Sequence, residues 1–479
     1  MLSFGRDDKT RTCDLAPPRR VRYQLRYIPF LYCANVFSFA MQRYDIILYS
    51  PNIFCNFAHK IRKKRTGQAT MVVFAPNILR TNIQLPSSKS ISNRALIIRA
   101  LSGSSMPIDN ISDCDDSRVV EDALMHMPHV IDIKAAGTAM RFMTSLLCTV
   151  GGEHIITGTE RMRNRPIAVL VDALRSLGAD ISYEEKEGFP PLRIRGGELA
   201  GGCLALPGNV SSQYISSLLM IAPTLKHGLV LELTGEIISR PYIDMTLAIM
   251  RQFGARAQWN GDKHIRVEAV PYSPIHYYIE SDWSAASYWY EMVALSEDDE
   301  AEVVLPGLFH NSLQGDSAIA KLFSCLGVET EFDGNCVRLT KKACENEMFV
   351  CNMLNQPDLA QTIVVTCCML GIHFRISGLQ TLRIKEADRI AALQKELGKL
   401  GFLIGVEGDD TMLWNGEMNT GWSETYDVAI DTYEDHRMAM AFAPVALTRG
   451  SITINNPEVV SKSYPRFWED MKKAGFKLG

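Results

Sequence analysis

Apolar residues recur with helical spacing in five segments, and each of these segments ends in the same way. An apolar face is followed by a glycine and then by a strand-like run, and successive glycines lie 73 to 76 residues apart. The five glycines are Gly178, Gly254, Gly327, Gly401 and Gly475. A glycine just after a helix is typical of a C-cap, and a near-constant period indicates a duplicated unit. A sixth copy without the glycine is expected to end near 119–127.

Strand-like stretches separate these helices. They read IDIK, HIITG, LRIRG, LVLELTG, IRVEAV, AEVVLPG, CVRLT, FRISG, DVAID and SITINN. Several strands and at least one helix per unit predict an α/β protein built from repeated modules. Six such units between residues 71 and 479 predict two domains of three units each.

Residues 1–70 do not share this pattern. They combine a basic start, an apolar run and a basic cluster at 60–65. The order is that of a targeting sequence, although a basic arm for a partner is an alternative. We favour a third interpretation, a non-globular or non-native extension before a start at Met71, where the strand-like run 72–74 begins. A chain without 1–70 is therefore expected to fold and to remain active.

The formal net charge of −4 hides an asymmetry. Residues 1–70 carry 13 Lys+Arg and 4 Asp+Glu, and the remaining residues carry 37 and 50. An acidic body argues against binding to nucleic acid. The 12 cysteines lack metal-ligand spacing, which predicts reduced thiols, no metal site and a cytoplasmic setting. No apolar run reaches the roughly 18 residues of a membrane helix.

The stretch LPSSKSISNRALIIRAL at 85–101 is the first to suggest a binding site. It predicts a small-residue turn that leads into a helix capped by Ser90 or Ser92. The free N–H groups of a helix start attract anions. Lys89 and Arg94 would add a flexible and a planar cation. The alternative is a capped surface helix with two solvated cations.

Similar combinations of cations, acids and small residues recur along the chain. They occur in KAAGTAMRF, TERMRNRPI, GNVSSQY, ISRPYI, QPDLAQ, TLRIKEADR, YEDHRMAM and SKSYPRF. If TERMRNRPI is extended, Arg161, Arg163 and Arg165 would share one side. In TLRIKEADR, Lys385, Glu386 and Arg389 would lie within one helical turn. Each stretch has an ordinary structural explanation, but together they predict small ligands with several negative charges.

These motifs, in this order, resemble the 5-enolpyruvylshikimate-3-phosphate (EPSP) synthase family. The matching stretches are LPSSKSISNRA, AAGTAMR, RMRNRPI, SSQ, SRPYID, NSLQGD, IKEADR, DHRMAMAF and SKSYPRFW. The resemblance implies two similar domains, each of three βαβαββ-type repeats, with ligands in the interdomain cleft. The implied domains are 87–281, with the shikimate-phosphate site, and 71–86 plus 282–479, with acid/base and phosphoenolpyruvate residues. The chain would cross between them near Pro86 and Asp282.

The resemblance also implies a reaction, in which the enolpyruvyl group of phosphoenolpyruvate passes to the 5-hydroxyl of shikimate 3-phosphate and phosphate is released. The implied shikimate 3-phosphate ligands are Lys89, Ser90, Arg94, Ser211, Ser212, Gln213, Ser239, Tyr242, Asp358 and Lys385. The implied phosphoenolpyruvate ligands are Lys89, Gly137, Arg165, Gln213, Arg389, Arg437 and Lys462. The implied catalytic residues are Asp358, Glu386, Lys89, Lys385 and Lys462. No cofactor, metal, membrane or nucleic acid is implied, and a cytoplasmic monomer inhibited by glyphosate is expected.

Three positions depart from the family pattern. Ser87 stands where glycine is usual, and Ala135 and Thr381 stand where asparagine is usual. The last two remove amide contacts, so they bear on affinity more than on activity. One rival is UDP-N-acetylglucosamine enolpyruvyl transferase, which carries a cysteine on a mobile loop; none of the nine cysteines after Met71 lies in an obvious glycine-rich loop. The other rival, a non-catalytic relative, would lack an acid or cation that this chain retains.

Overall fold

The computed structural model describes residues 69–421 and 428–479. The strands in these ranges are β1 Thr70–Phe74, β2 Arg80–Asn82, β3 Ile108–Asp109, β4 Val130–Asp132, β5 Gly152–Thr157, β6 Asp180–Tyr183, β7 Leu192–Gly196, β8 Gly202–Pro207, β9 Leu229–Thr234, β10 Ala257–Asn260, β11 His264–Val267, β12 Tyr277–Tyr278, β13 Glu302–Pro306, β14 Val328–Asp333, β15 Cys336–Lys341, β16 Met348–Asn352, β17 His373–Ser377, β18 Gly405–Glu407, β19 Thr411–Trp414, β20 Ala429–Ile430, β21 Ser451–Asn455 and β22 Lys477–Leu478.

Helices connect most of these strands. The α-helices are α1 Lys89–Leu101, α2 Asp115–His126, α3 Gly137–Leu147, α4 Glu160–Arg163, α5 Ala168–Ser176, α6 Ser212–Ile221, α7 Arg240–Gln252, α8 Trp283–Leu295, α9 Ile319–Ser324, α10 Ala360–Leu370, α11 Arg389–Lys399, α12 His436–Phe442, α13 Ala446–Arg449 and α14 Phe467–Lys473. Short 3-10 helices span Ala222–Thr224, Gly315–Ala318, Pro357–Leu359, Gln380–Ile384, Ala443–Val445 and Pro457–Lys462.

Five four-stranded sheets share one topology. The sheet β4-β5-β7-β6 begins with a parallel pair and continues with two antiparallel pairs, and α3, α4 and α5 connect its strands. The sheets β8-β9-β11-β10 and β16-β17-β19-β18 repeat this order. The predicted repeat is therefore a βαβαββ unit.

Three units draw on distant parts of the chain. Strand β2 pairs with β13, and β1 pairs with both β21 and β22, so two sheets of the C-terminal part are completed from the start of the described chain. The sixth unit is reduced to the parallel pair β12-β3. Near 119–127, helix α2 ends at His126, and its C-cap residue Met127 takes the left-handed conformation with φ of 40°.

All five repeat glycines follow a helix, and their φ angles lie between 85° and 101°. Side chains rarely adopt this region, which explains why the glycine recurs with the period of the unit. Helix α9 and strand β14 illustrate the arrangement, because Gly327 lies directly between them.

Two hydrophobic cores lie within the described chain. The first contains buried residues from Ile91 to Ile279, and the second contains residues from Val73 to Leu85 and from Trp283 to Phe476. We refer to these parts as lobe 1 and lobe 2. The two crossing segments form backbone hydrogen bonds with each other. The amide of Ser88 donates to the carbonyl of Glu280, and the amide of Asp282 donates to the carbonyl of Pro86, each at 2.9 Å.

The cores separate where the sequence places the two crossings, and the domain boundaries at 87 and 281 remain a prediction. The interpretation of 1–70 falls on residues 1–68, outside the described ranges, apart from Ala69 and Thr70. Thr70 already belongs to β1, so this strand begins one residue before the expected Met71. Within 69–421 and 428–479, no helix is long and apolar enough to cross a membrane.

Candidate active site

A polar pocket lies between the lobes, and both contribute to its walls. Of the predicted site residues, those that line it are Lys89, Ser90, Arg94, Gly137, Arg165, Ser211, Ser212, Gln213, Ser239, Tyr242, Asp358, Lys385, Glu386, Arg389 and Arg437. Lys462 reaches the same place, because its Nζ lies 3.1 Å from Oε1 of Glu386. The fold thus brings the predicted set together from segments as far apart as 89 and 462.

Helix α1 presents Lys89 at its first position. The expected cap at Ser90 or Ser92 is wrong: the helix begins earlier, and Ser88 is the N-cap, with its hydroxyl accepting from the amide of Ile91. The ammonium of Lys89 lies 3.2 Å from Oδ2 of Asp116. Burial alone would lower the pKa of Lys89, but Asp116 and other acidic groups outweigh it and raise this pKa.

Two arginines are buried in lobe 1 with no carboxylate of the described residues in salt-bridge contact. Arg94 donates to Oγ1 of Thr246 at 2.7 Å and to the carbonyl of Ser90 at 2.8 Å. Arg141 donates to the carbonyl of Gly137 at 3.0 Å. Burial lowers the pKa of each arginine to about 10. A buried guanidinium bonded only to neutral groups favours an anionic ligand.

The starts of α6 and α7 supply small polar groups. Ser211 caps α6, and its hydroxyl accepts from the backbone amide of Gln213 at 3.3 Å. The side-chain amide of Gln213 donates to the hydroxyl of Thr138 at 3.2 Å. Ser239 precedes α7 in the left-handed region, with φ of 53°, and its amide donates to Leu354 of lobe 2 at 3.0 Å. Such backbone strain persists only where the surroundings impose it.

Asp358 follows Pro357 in the 3-10 turn that leads into α10, and three cations surround its carboxylate. Oδ1 lies 2.9 Å from Arg389 and 3.5 Å from Lys385, and Oδ2 lies 3.2 Å from Arg437. The hydroxyl of Tyr242, from lobe 1, donates to Oδ2 at 3.2 Å. Burial alone would raise the pKa of Asp358, but the cations, Arg437 foremost, hold it well below its usual range.

Glu386 is the second acid of the pocket. Its Oε2 lies 2.9 Å from Arg389, and its Oε1 lies 3.1 Å from Lys462. Burial alone would raise the pKa of Glu386, but Lys462 and Arg389 hold it well below the usual value. Both predicted acid/base residues are therefore carboxylates that contact cations.

Two further local expectations are wrong. Residues 160–163 form α4 instead of an extended segment, so the three arginines diverge: Arg161 approaches Glu434, Arg163 pairs with Glu185, and Arg165 lines the pocket. Lys385 and Glu386 lie in the turn before α11, which begins only at Arg389. The expectation that Lys385, Glu386 and Arg389 lie within one helical turn is therefore wrong.

Sequence reasoning did not assign a role to several acidic residues and one histidine of the site. Asp435 is fully buried, and its Oδ2 lies 2.7 Å from Nε of Arg389. Asp282 accepts from the amides of Lys89 and Ala285 and thereby caps the starts of α1 and α8 together. Burial lowers the pKa of His436 well below its usual value, and neither ring nitrogen has a hydrogen-bond partner among the described residues. For Asp435 and His436, the signal in the sequence was the DHR triplet at 435–437.

The repeated units and the cation-rich pocket define a two-lobed α/β protein with a polar site between its lobes. The sequence matches the family profile described as EPSP synthase (3-phosphoshikimate 1-carboxyvinyltransferase) over residues 124–471. A 3-phosphoshikimate 1-carboxyvinyltransferase of Bacteroides fragilis is 55% identical over 405 residues, which cover 84% of this chain and 97% of that protein. A protein of the same name from Photobacterium damsela subsp. piscicida is 36% identical over 425 residues, covering 83% and 97%.

A solved structure gives the same picture of the fold. The EPSP synthase from Acinetobacter baumannii superposes with a TM-score of 0.68 at 21% identity, covering 86% of this chain and all of that one. The chain belongs to the EPSP synthase family. The predicted resemblance and fold class are confirmed.

Proposed function

We propose that this chain transfers the enolpyruvyl group of phosphoenolpyruvate to the 5-hydroxyl of shikimate 3-phosphate and releases phosphate. The observation that carries the proposal is the convergence of Asp358 and Glu386 with three cations, Arg389, Arg437 and Lys462, in one pocket of a chain of this family. Two substrates with phosphate and carboxylate groups match this charge pattern.

Lobe 1 would hold shikimate 3-phosphate. Arg94 has no carboxylate of the described residues in salt-bridge contact, and Lys89 lies at the start of α1, where backbone N–H groups attract phosphate or carboxylate. The neutral donors of this half are Ser90, Ser211, Ser212, Gln213, Ser239 and Tyr242. Hydroxyl and amide groups at these positions suit the hydroxyls and the phosphate of the ligand.

Lobe 2 would supply most of the phosphoenolpyruvate contacts. Arg389 and Arg437 form this cluster with Lys462, which contacts Glu386, and Lys89, Arg165 and Gln213 approach from lobe 1. The ligand's phosphate and carboxylate would take over cations that now contact Glu386 and Asp358. A carboxylate that loses cationic partners and gains an anionic neighbour has its pKa raised. Substrate binding thereby brings Glu386 closer to the protonated form that an acid catalyst needs.

In the first chemical step, the 5-oxygen forms a bond to C2 of phosphoenolpyruvate while the C2–C3 double bond opens toward C3. Its proton passes to Asp358, and C3 receives a proton from protonated Glu386. In the second step, the bond between C2 and the phosphate oxygen breaks. Glu386 takes a proton back from C3 as the enol double bond forms, and Lys462 donates to the departing phosphate. Lys385, beside Asp358, orients the attacking substrate.

The departures from the family pattern bear on binding strength. We propose that Ala135 and Thr381 weaken affinity without preventing turnover, because no acid or cation is lost with them. The hydroxyl of Thr381 is buried without a partner among the described residues, and it is the group that remains in place of an amide.

Domain boundaries, oligomeric state and compartment complete the proposal. The domains are 87–281 and 71–86 with 282–479, and a monomer suffices because every proposed ligand residue comes from one chain. Nine cysteines in the described part are free, which supports a reducing, cytoplasmic setting. The acidic body supports small-molecule partners without nucleic acid.

A phosphate-release assay tests the function. Release should require both shikimate 3-phosphate and phosphoenolpyruvate, and the organic product should carry the enolpyruvyl ether. Reactions that lack either substrate, or that contain UDP-N-acetylglucosamine as the acceptor, are the controls. Absence of release with both substrates, or equal release with the nucleotide sugar, would contradict the proposal.

A further inference from the structure

Helix α11 contacts the segment 431–435 at two points. Arg389 begins the helix and holds Asp435 at 2.7 Å. Glu396 follows seven residues later, so both side chains project from the same side of the helix, two turns apart. Only the first of these contacts lies in the pocket.

Glu396 is fully buried and carries a set of hydrogen bonds that the proposed mechanism does not use. Its Oε1 accepts from the hydroxyl of Tyr433, and its Oε2 accepts from the amide of Asp431 at 3.0 Å and from Lys399 at 2.5 Å. Lys399 also reaches Oδ2 of Asp431 at 2.9 Å. The carboxylate of Glu396 thus holds both Asp431, which directly follows β20, and Tyr433, two residues further on.

The segment that Glu396 fixes is a strained turn. Tyr433 and Glu434 both have left-handed backbones, with φ of 54° and 57°. Two successive non-glycine residues in this region are costly, and such strain persists only where contacts over-determine it. The turn is closed by the amide of Asp435, which donates to the carbonyl of Thr432 at 2.8 Å.

The groups that bind Arg389 and Asp358 follow this turn directly. Asp435 holds Arg389 and also caps α12 by accepting from the amide of Arg437 at 2.9 Å. Arg437 then reaches Asp358 at 3.2 Å. A shift of the turn would therefore move two arginines of the phosphoenolpyruvate half, whereas Arg94 and Ser211 of lobe 1 make no contact with it.

We propose that the Glu396–Tyr433 contact is a positioning device for the phosphoenolpyruvate half of the site. Tyr433 and Glu396 act through Asp435 and Arg437, and neither touches substrate. The inference rests on the proposed function and adds two residues, remote from the pocket, that set the geometry of its arginines. Sites of this kind lose activity when their arginines are displaced by about 1 Å.

The test is Tyr433→Phe, which removes one hydroxyl and keeps the ring that packs against the second core. The expected result is a fall of roughly 10- to 100-fold in kcat/KM for phosphoenolpyruvate. The dissociation constant for shikimate 3-phosphate, measured by calorimetry, should stay within about 2-fold of the parent. Glu396→Gln, which loses the charge opposite Lys399, should show the same selective loss.

Tyr290→Phe is the matched control. It also removes a tyrosine hydroxyl bonded to a side chain of lobe 2, Thr330 at 3.1 Å, but it lies outside the pocket and should leave both constants unchanged. The inference would be overturned if Tyr433→Phe kept the parental kcat/KM for phosphoenolpyruvate, or if it weakened shikimate 3-phosphate binding by the same factor. It would also be overturned if Tyr290→Phe lowered kcat/KM for phosphoenolpyruvate as much as Tyr433→Phe does. An inactive parent would instead contradict the proposed function. In that case the dissociation constants for phosphoenolpyruvate, measured by calorimetry on parent and Tyr433→Phe, would still test the positioning role: weaker binding by the variant supports it, and equal binding contradicts it.

Discussion

At the scale of single residues, neighbouring cations lower the pKa of both proposed acid/base residues, Asp358 and Glu386. Glu386 contacts Arg389 and Lys462, and its pKa lies well below the usual value. A residue that delivers a proton to carbon must change this state during the catalytic cycle, and the substrates' own anionic groups supply the means.

Glu386→Gln keeps the size and hydrogen-bonding shape of the side chain and removes its titrating group. Turnover should fall by roughly 100-fold or more, with the dissociation constant for shikimate 3-phosphate little changed. Steady-state phosphate release and calorimetry measure the two quantities. Glu185→Gln is the control, because Glu185 also pairs with an arginine, Arg163 at 3.0 Å, outside the pocket. Near-normal turnover in Glu386→Gln would eliminate the proton-transfer role.

Gly137 and Arg165 form the part of the pocket where glyphosate, a small anion, is expected to compete with phosphoenolpyruvate. A Cβ at Gly137 would lie 2.5 Å from Nη1 of Arg165 and would force this guanidinium to move. Gly137→Ala should therefore raise both the KM for phosphoenolpyruvate and the inhibition constant of glyphosate, each by about 10-fold or more.

The measurement is a glyphosate titration at fixed shikimate 3-phosphate and two phosphoenolpyruvate levels. Gly197→Ala serves as the control, since nothing lies within 4 Å of a Cβ built there. If the apparent inhibition constant of the parent does not rise with phosphoenolpyruvate, the two ligands do not share the site.

The sequence revealed the cations of the site more readily than the acids that hold them. Lys89 and Arg389 are the first residues of α1 and α11 and Arg437 is the second residue of α12, and all three stand in short stretches that the sequence analysis singled out by composition. Asp116 and Asp282 contact Lys89 from positions 27 and 193 residues away along the chain. Pairing over such distances depends on the fold, so no local spacing could have predicted it.

At the scale of elements, the repeat was predictable because each unit has the same local requirements. A helix must end, and the chain must reverse into a strand, so a glycine is needed once per unit. Strand exchange between units was not predictable. Strands β1 and β2 pair with partners more than 200 residues away, and short strands carry too little pattern to identify a distant partner.

Gly178→Ala tests the role of the repeated glycine without steric interference. Nothing lies within 4 Å of a Cβ at this position, but φ is 101°. The free energy of unfolding should fall by roughly 1–2 kcal/mol. Gly398→Ala, inside α11 with equally open surroundings, should raise it by roughly 0.5–1 kcal/mol. Urea unfolding measures both variants, and equal effects of the two would refute the conformational explanation.

At the scale of the whole described chain, the lobes meet through a few polar contacts around the pocket. The hydroxyl of Ser461 donates to Asp115 at 2.6 Å, and that of Tyr242 donates to Asp358 at 3.2 Å. Domain closure around ligands is a common response when few contacts join two bodies.

Shikimate 3-phosphate should therefore shift the lobes toward the closed arrangement, because its charges neutralise cations that otherwise repel across the cleft. The expected result is a smaller radius of gyration in X-ray scattering at saturating ligand. Shikimate without its phosphate is the control and should have a weaker effect at equal concentration. An unchanged radius with the phosphorylated ligand would contradict the expectation.

The crossed-over course of the chain has a consequence for biosynthesis. The first core uses one continuous stretch, 91–279, whereas the second needs residues 73–85 together with 283–476. Since a ribosome delivers the N-terminal part first, lobe 1 can fold while β1 still lacks its partners β21 and β22. On ribosome-bound chains stalled near residue 330, limited proteolysis should spare 91–279 and cleave around Val72, whose strand partners are translated last.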